Sequence, residues 1–196
     1  PAIIWIHAAL MFGWIVLFMS QTLFIRAGNF NWHRRTGMIG AALAALIVPF
    51  TIAVGVAILP RDLAAMGEAG YSAFLPTVIE AFLFGSLVAA GIALRARPDY
   101  HKRLMLLATL SALGPAWFRF RHFFPQVENP VAVFAFWLAI TPMAVAAFWD
   151  RWRNGRIHPV FLTVLPAMIA IYAVEVWGSG HPVFIAAAKR IAALLS

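Results

Sequence analysis

The sequence predicts an all-α polytopic membrane protein: six transmembrane helices arranged as three hairpins, followed by a C-terminal interfacial helix, with residues 1–196 as a single transmembrane domain. Three observations carry that prediction. Of the 196 residues, 63% are apolar and only 11% charged, against about 45–50% and about 25% in soluble domains. Mean hydropathy is +0.86, so a water-facing surface could not accommodate the apolar excess. Apolar runs near the ~20 residues needed to cross a bilayer recur along the chain, each bounded by charged or turn residues.

The first run spans about Ala2 to Ile25 and ends at Ala27-Gly28-Asn29. It lacks a basic start and a small-residue cleavage site, so it is expected to stay as a helix rather than act as a secretory signal. The second, Thr36 to Leu59, carries Gly37, Gly40, Ala44, Val48, Thr51 and Gly55 at three- and four-residue spacing, a face that lets another helix approach closely. Pro60-Arg61-Asp62 reads as the loop that ends it. Ser72 to Leu94 is the third, Leu104 to Phe118 and slightly beyond the fourth, Val131 to Trp149 the fifth, and Val160 to Trp177 the sixth. Pro49, Pro115, Pro142 and Pro166 fall inside these runs and invite kinks, with Gly114-Pro115 beside the most polar segment. In His181 to Ser196, Phe184, Ala187, Ala188, Ile191 and Leu195 share a helical face opposite Lys189 and Arg190, the pattern of a helix lying in the interface, with a tilted seventh span as the alternative.

Charge sets an expected orientation. Ten of the fifteen basic residues lie in three connections on one side, so those loops are placed in the cytoplasm and both termini outside. The net charge of +8 is thereby explained through the lipid bilayer, with no nucleic-acid partner. Cysteine is absent, which removes disulfides, thiolate zinc, iron–sulfur clusters, c-type haem attachment and a cysteine nucleophile. There is no HExxH, GxSxG, Walker or dinucleotide motif either.

The chemistry left is that of ionisable groups inside spans, each costing about 2.5–3.5 kcal/mol on insertion scales and therefore expected to face the bundle and find partners. His7, Glu80, Arg119 and Glu175 are the candidates, and Arg119 is expected to pair with Glu80 or Glu175. His101 and Arg119, eighteen positions or five helical turns apart, share a side of a continuous helix. His7, Met11, Trp14, Phe18 and Gln21 share a side of the first span, and Tyr172 and Glu175, one turn apart, can share a hydrogen bond. Each basic connection also ends in a histidine: His33, His101 and His158.

Histidines on several helices can hold a b-type haem edge-on, with basic residues meeting its propionates. His33 with His101 forms an inner candidate pair, beside Arg34, Arg35, Lys102 and Arg103; His7 with His122 forms an outer one. A quinone headgroup suits a similar setting. A histidine-only metal site would need His33, His101 and His158 to converge. Each of these groups also has a purely structural reading, as a core hydrogen bond or a register device, and interfacial anchoring suffices for His122, His158 and His181. Three functions compete: a redox-linked protein holding haem b or quinone in electron transport; a proton-coupled transporter using Glu80, Arg119 and Glu175; and a non-catalytic assembly subunit working within a larger membrane complex or homo-oligomer.

His33-Arg34-Arg35-Thr36-Gly37, the run His101-Lys102-Arg103-Leu104-Met105 with the apolar residues after it, and Gly155-Arg156-Ile157-His158-Pro159 resemble segments of an uncharacterised bacterial multispan membrane protein family. The first two are also similar to helix starts in membrane proteins linked to haem-oxidase assembly. That resemblance implies a bacterial inner-membrane setting and a connection to haem or respiration, and it supplies no activity.

Overall fold

The computed structural model describes residues 2–195, and they are helical without strands. α1 covers Ala2–Arg26 and α2 Phe30–Met66; a short 3₁₀ turn, Gly67–Gly70, leads into α3, Tyr71–Ala93. α4, Pro98–Ser111, is followed by a short α5, Gly114–Phe118, and a second 3₁₀ turn, Arg119–His122. A π-helical stretch, Val131–Trp137, runs into α6, Leu138–Asn154; α7 is Pro159–Trp177 and α8 Pro182–Leu195. The segments long and apolar enough to cross a membrane are α1, the Phe30–Ala93 stretch that holds α2 and α3, Val131–Asn154, and α7.

Small residues set the packing of the first four helices. Gly40 faces Leu17, Gly13 faces Leu43, and Gln21 donates to Thr36 at 2.5 Å, so α1 and α2 run antiparallel. Gly85 faces Val48 and Gly55 faces Phe74 and Thr77, which folds α3 back along α2. Gly91 faces Met105 and Gly114 faces Glu80, which sets α4 and α5 antiparallel to α3. Trp14, 1% exposed, crosses from α1 to donate its indole N–H to Thr109 of α4 at 3.2 Å. The side of α1 expected to face inward thus does so. One continuous core joins these helices to α6 and α7 through Phe84, Leu107, Met143, Phe161, Met168 and Tyr172.

Two expectations need correction, and a third element forms with an unexpected start. α2 does not stop before Pro60. It continues through Pro60-Arg61-Asp62 to Gly67, where a φ of +58° ends it and the Gly67 N–H returns to the Leu63 carbonyl. Gly70 lets the next turn press on Asp62, since a Cβ there would lie 2.8 Å from the Asp62 carbonyl carbon. The expected fourth span is broken: α4 ends at Ser111, and α5 begins at the Gly114-Pro115 pair, where proline lacks the donor to continue the helix. The fifth begins with a π-helical stretch whose start is held by Asn129, which accepts from Ala132 N–H through its side chain and from Val133 N–H through its backbone.

α8 forms where expected and uses the expected face. Phe184, Ala188 and Ala192 are buried against Leu59, Phe74, Leu75 and Val78, and Lys189 on the other side pairs with Glu68. Its 14 residues reach about 21 Å at helical rise, short of a bilayer crossing.

Candidate functional site

The basic connections gather at one end of the bundle. Asn29 opens α2 there, its side chain accepting from Trp32 N–H at 3.3 Å and its carbonyl from His33 N–H at 3.1 Å. Pro98 opens α4 with its fixed φ, and the His101 N–H closes on the Arg97 carbonyl at 3.0 Å. Both histidines therefore sit in the first turn of a helix, one on each side of the end of α3. Their ring centres lie 6.3 Å apart with planes at 79°.

Hydrogen bonding assigns one tautomer. His101 Nδ1 lies 2.8 Å from the Gly91 carbonyl oxygen, which can only accept, so Nδ1 carries a proton and in the neutral ring Nε2 keeps its lone pair. A ring nitrogen bonded to a backbone carbonyl, with the other free, is the usual arrangement of a ligating histidine. His33 Nδ1 is buried with no partner, and so is the Gln21 side-chain oxygen, which faces the next turn of the same helix near Gly37. Two orphaned polar atoms beside a lone-pair nitrogen fit a group that brings its own donors or a metal. Two imidazoles on opposite sides of one metal atom, at nitrogen–metal distances of about 2 Å, have centres about 6 Å apart, so the ring separation is compatible with a shared metal atom.

The basic residues expected to serve this pair are partly committed elsewhere. Arg103, 6% exposed, donates from Nε to Asp150 Oδ1 at 2.9 Å and pairs through Nη2 with the same oxygen, while its Nη1 donates to the Asp99 carbonyl at 2.8 Å. Asp150 also accepts from Asn154 Nδ2 and from the His158 backbone N–H, both at 2.9 Å. This clamp ties α4, α6 and the start of α7 together. Asp150 was not among the sequence candidates because it ends a span beside Arg151 and Arg153 and reads as part of a solvated loop. Lys102 pairs with Asp99 at 2.7 Å, and those contacts hold the Asp99 carboxyl below its ordinary range. Arg34 bonds Asn31, leaving Arg35 uncommitted among the described residues.

His158 does not join His33 and His101, and no group of three His, Cys, Asp or Glu among the described residues could hold a metal ion. It caps α7 instead: Nδ1 accepts from Val160 N–H at 3.2 Å, and the ring stands edge-on to Tyr100 at 4.6 Å.

At the opposite end the two histidines do not meet, whereas Glu80 lies close enough to Tyr172 and Glu175 for their charges to interact. His7 Nδ1 lies 3.4 Å from Thr51 Oγ1, whose own proton goes to the Ile47 carbonyl, so His7 is the donor in that contact. His122 is exposed, and the only two histidine rings in contact among the described residues are His33 and His101. Arg119 is also exposed and donates to the Pro115 carbonyl at 3.0 Å; among the described residues it pairs with neither Glu80 nor Glu175. The cause is the break after Ser111, which destroys the helical phase linking Arg119 to His101. Glu80 packs its carboxyl against Gly114, where a Cβ would meet Oε1 at 3.0 Å. Tyr172 and Glu175 are buried, yet the phenol oxygen and Glu175 Oε1 have no partner, so the hydrogen bond expected between them is not formed. The buried indole nitrogen of Trp117, which the sequence did not single out, is likewise unpartnered.

Comparison of the chain with protein-family models, with curated proteins and with solved structures returns no match.

Proposed function

We propose that this chain is a redox-linked integral membrane protein that holds a haem b or a quinone at the His33–His101 pair. The observation that carries the reading is the juxtaposition of two first-turn histidines, one with its Nδ1 proton committed to the Gly91 carbonyl and the other with an orphaned buried nitrogen. His33 and His101 would hold a haem iron through their ring nitrogens, and Arg35 would supply charge for a propionate. Bound haem would supply one-electron chemistry and a quinone two-electron, two-proton chemistry; the residues here bind and orient either one. In this reading α1, α2, α3, the broken α4–α5 pair, α6 and α7 make six passes of a bacterial inner membrane. The basic loops then face the cytoplasm and both termini lie outside.

An absorption spectrum of protein purified from haem-replete membranes tests it. A Soret band that disappears in His33→Ala and His101→Ala supports the haem form. A colourless protein whose solvent extract contains quinone, lost in the same variants, supports the quinone form; neither pigment nor quinone refutes both.

A second reading, proton-coupled transport, is favoured by the unpartnered oxygens of Tyr172 and Glu175 with Glu80 beside the helix break. Arg119 has no part in it, being turned to its own helix. Glu80→Gln should abolish pH-driven flux in vesicles under this reading, and unchanged flux removes it.

A further inference from the structure

At the basic end, a cavity of about 560 Å3 opens between the starts of α4 and α7, lined by Arg97, Asp99, Tyr100, Arg156, Ile157 and His158 with the two helix-opening prolines. We propose that this cavity is a binding site for a phosphate group, held by the guanidinium groups of Arg97 and Arg156. The proposal is independent of the redox reading, since it uses neither His33 nor His101.

Charge accounting around the cavity favours an anion. The carboxylates near it are Asp99 and Asp150, and both are answered: Asp99 by Lys102 at 2.7 Å and Arg103 at 3.3 Å, Asp150 by Arg103. Among the described residues Arg97 and Arg156 have no carboxylate partner. Two positive charges therefore line one concavity unneutralised. α4 starts at Pro98 and α7 at Pro159, both in the cavity wall, so the helix dipoles add to the positive field there, although the first-turn N–H groups of Tyr100, His101, Val160, Phe161 and Leu162 are already bonded to Arg97 and His158.

The neutral donors agree with the charges. His158 Nδ1 accepts from Val160 N–H, so the ring proton is on Nε2, available to an acceptor. Desolvation and the neighbouring Arg103 keep this imidazole below its ordinary pKa, so it acts as a neutral donor at pH 7. Arg97 lies 5.8 Å from the Tyr100 ring, whose edge contact with His158 fixes that wall of the cavity. Two guanidinium forks and an imidazole N–H suit the several acceptor oxygens of a phosphate better than the two of a carboxylate. The phosphate comes from an anionic lipid headgroup of the adjoining leaflet or from a soluble phosphate ester, which share this chemistry.

The test uses the full chain in detergent. Binding of inorganic phosphate is measured by calorimetry, and retention of phosphatidylglycerol by native mass spectrometry, for wild type, Arg97→Gln/Arg156→Gln and Arg153→Gln, an exposed arginine outside the cavity. The double variant should bind at least about tenfold more weakly, having lost two charge-assisted contacts, with Arg153→Gln unchanged. Lipid retention that excess phosphate does not displace identifies a headgroup site; phosphate binding that displaces the lipid, or occurs without lipid retention, identifies a soluble ester. Equal binding in all three proteins, or equal loss in Arg153→Gln, overturns the proposal. A measurement on wild type guards against a variant that does not fold. Phosphate should shield Arg97 and Arg156, and not Arg153, from phenylglyoxal, and unshielded arginines at both positions also overturn it.

Discussion

Replacing Asp150 with alanine isolates the strongest electrostatic feature of the protein. The Arg103 and Asp150 side chains are 7% and 9% exposed, so neither charge is hydrated when the other is removed. Breaking such a pair from one side costs about 3–5 kcal/mol, mostly as an uncompensated buried charge. Asn154 Nδ2 and the His158 backbone N–H lose their acceptor too, but exposed Asn154 can turn to water. Arg103 also keeps the Asp99 carbonyl at 2.8 Å and its carboxylate at 3.3 Å, which argues for the lower end, about 3 kcal/mol. For a chain of this length that corresponds to a loss of about 6–12 °C in melting temperature. Thermal unfolding in detergent, followed by tryptophan fluorescence, measures it. Asp99→Asn is the control: the Asp99 carboxylate is 68% exposed, so the variant's melting temperature should stay close to that of the wild type. Arg103→Met/Asp150→Leu should recover most of the loss, because no buried charge remains. The reasoning is refuted if Asp150→Ala is as mild as Asp99→Asn, or if the double variant is no better than the single one.

His158→Ala removes the α7 cap and should cost about 1 kcal/mol, whereas His158→Asn, able to accept from the same N–H, should cost only a few tenths. Because the folded protein holds the His158 pKa below 6.5, the unfolded chain takes up the proton first. Stability is therefore complete above pH 6.5 and declines as pH falls from there through the folded pKa; melting curves at pH 7.5 and 5.5 should show a smaller difference in His158→Asn. Gly85→Ala would bring its Cβ to 2.8 Å from Val48 Cγ2, a stiff branched side chain, and should cost about 1–3 kcal/mol. Gly40→Ala meets only the end of Leu17 at 2.8 Å, which can rotate aside, so its melting temperature should fall less. Trp14→Phe should cost about 1 kcal/mol for the lost donation to Thr109.

Helix faces were legible in the sequence where one local rule decided them. Gly40, Ala44 and Gly55 lie buried as their spacing predicts, and the Phe184–Ala188 face of α8 packs inward. Breaks were less legible. Pro60 reads as an end, yet a proline costs a membrane helix little where its neighbours satisfy the freed carbonyl, and only the left-handed Gly67 stops α2. The π-helical stretch before α6 has no signature in Val131–Trp137; Asn129 caps its start but does not explain its pitch. In the sites, the pairing of His33 with His101 followed from both being at helix starts on the same end. The partnership of Arg119 did not follow, because phase carried across eighteen residues fails once a helix is interrupted at Ala112 and Leu113.

The two ends of the bundle treat polar groups differently, and the difference bears on how the histidine pair is held. At the far end, Tyr172, Glu175 and Trp117 keep buried atoms without partners. At the basic end His33 Nδ1 and Gln21 Oε1 also lack partners, but the buried charges, Arg103 and Asp150, are paired. Arg103 is two residues beyond His101, and its contacts with Asp99 and Asp150 pin the first turn of α4 against α6. The Gly91 contact then needs only to orient the His101 ring, since the backbone beneath it is already fixed. Under the proposed reading Asp150 is a positioning residue for a group it never touches, and the distinction is measurable. If haem is bound, Asp150→Ala should shift the midpoint potential or broaden the Soret band at temperatures well below melting, and the Arg103→Met/Asp150→Leu variant should recover stability without fully restoring the spectrum. Identical spectra in all three proteins would mean that the clamp stabilises the bundle and leaves the histidines to their own contacts.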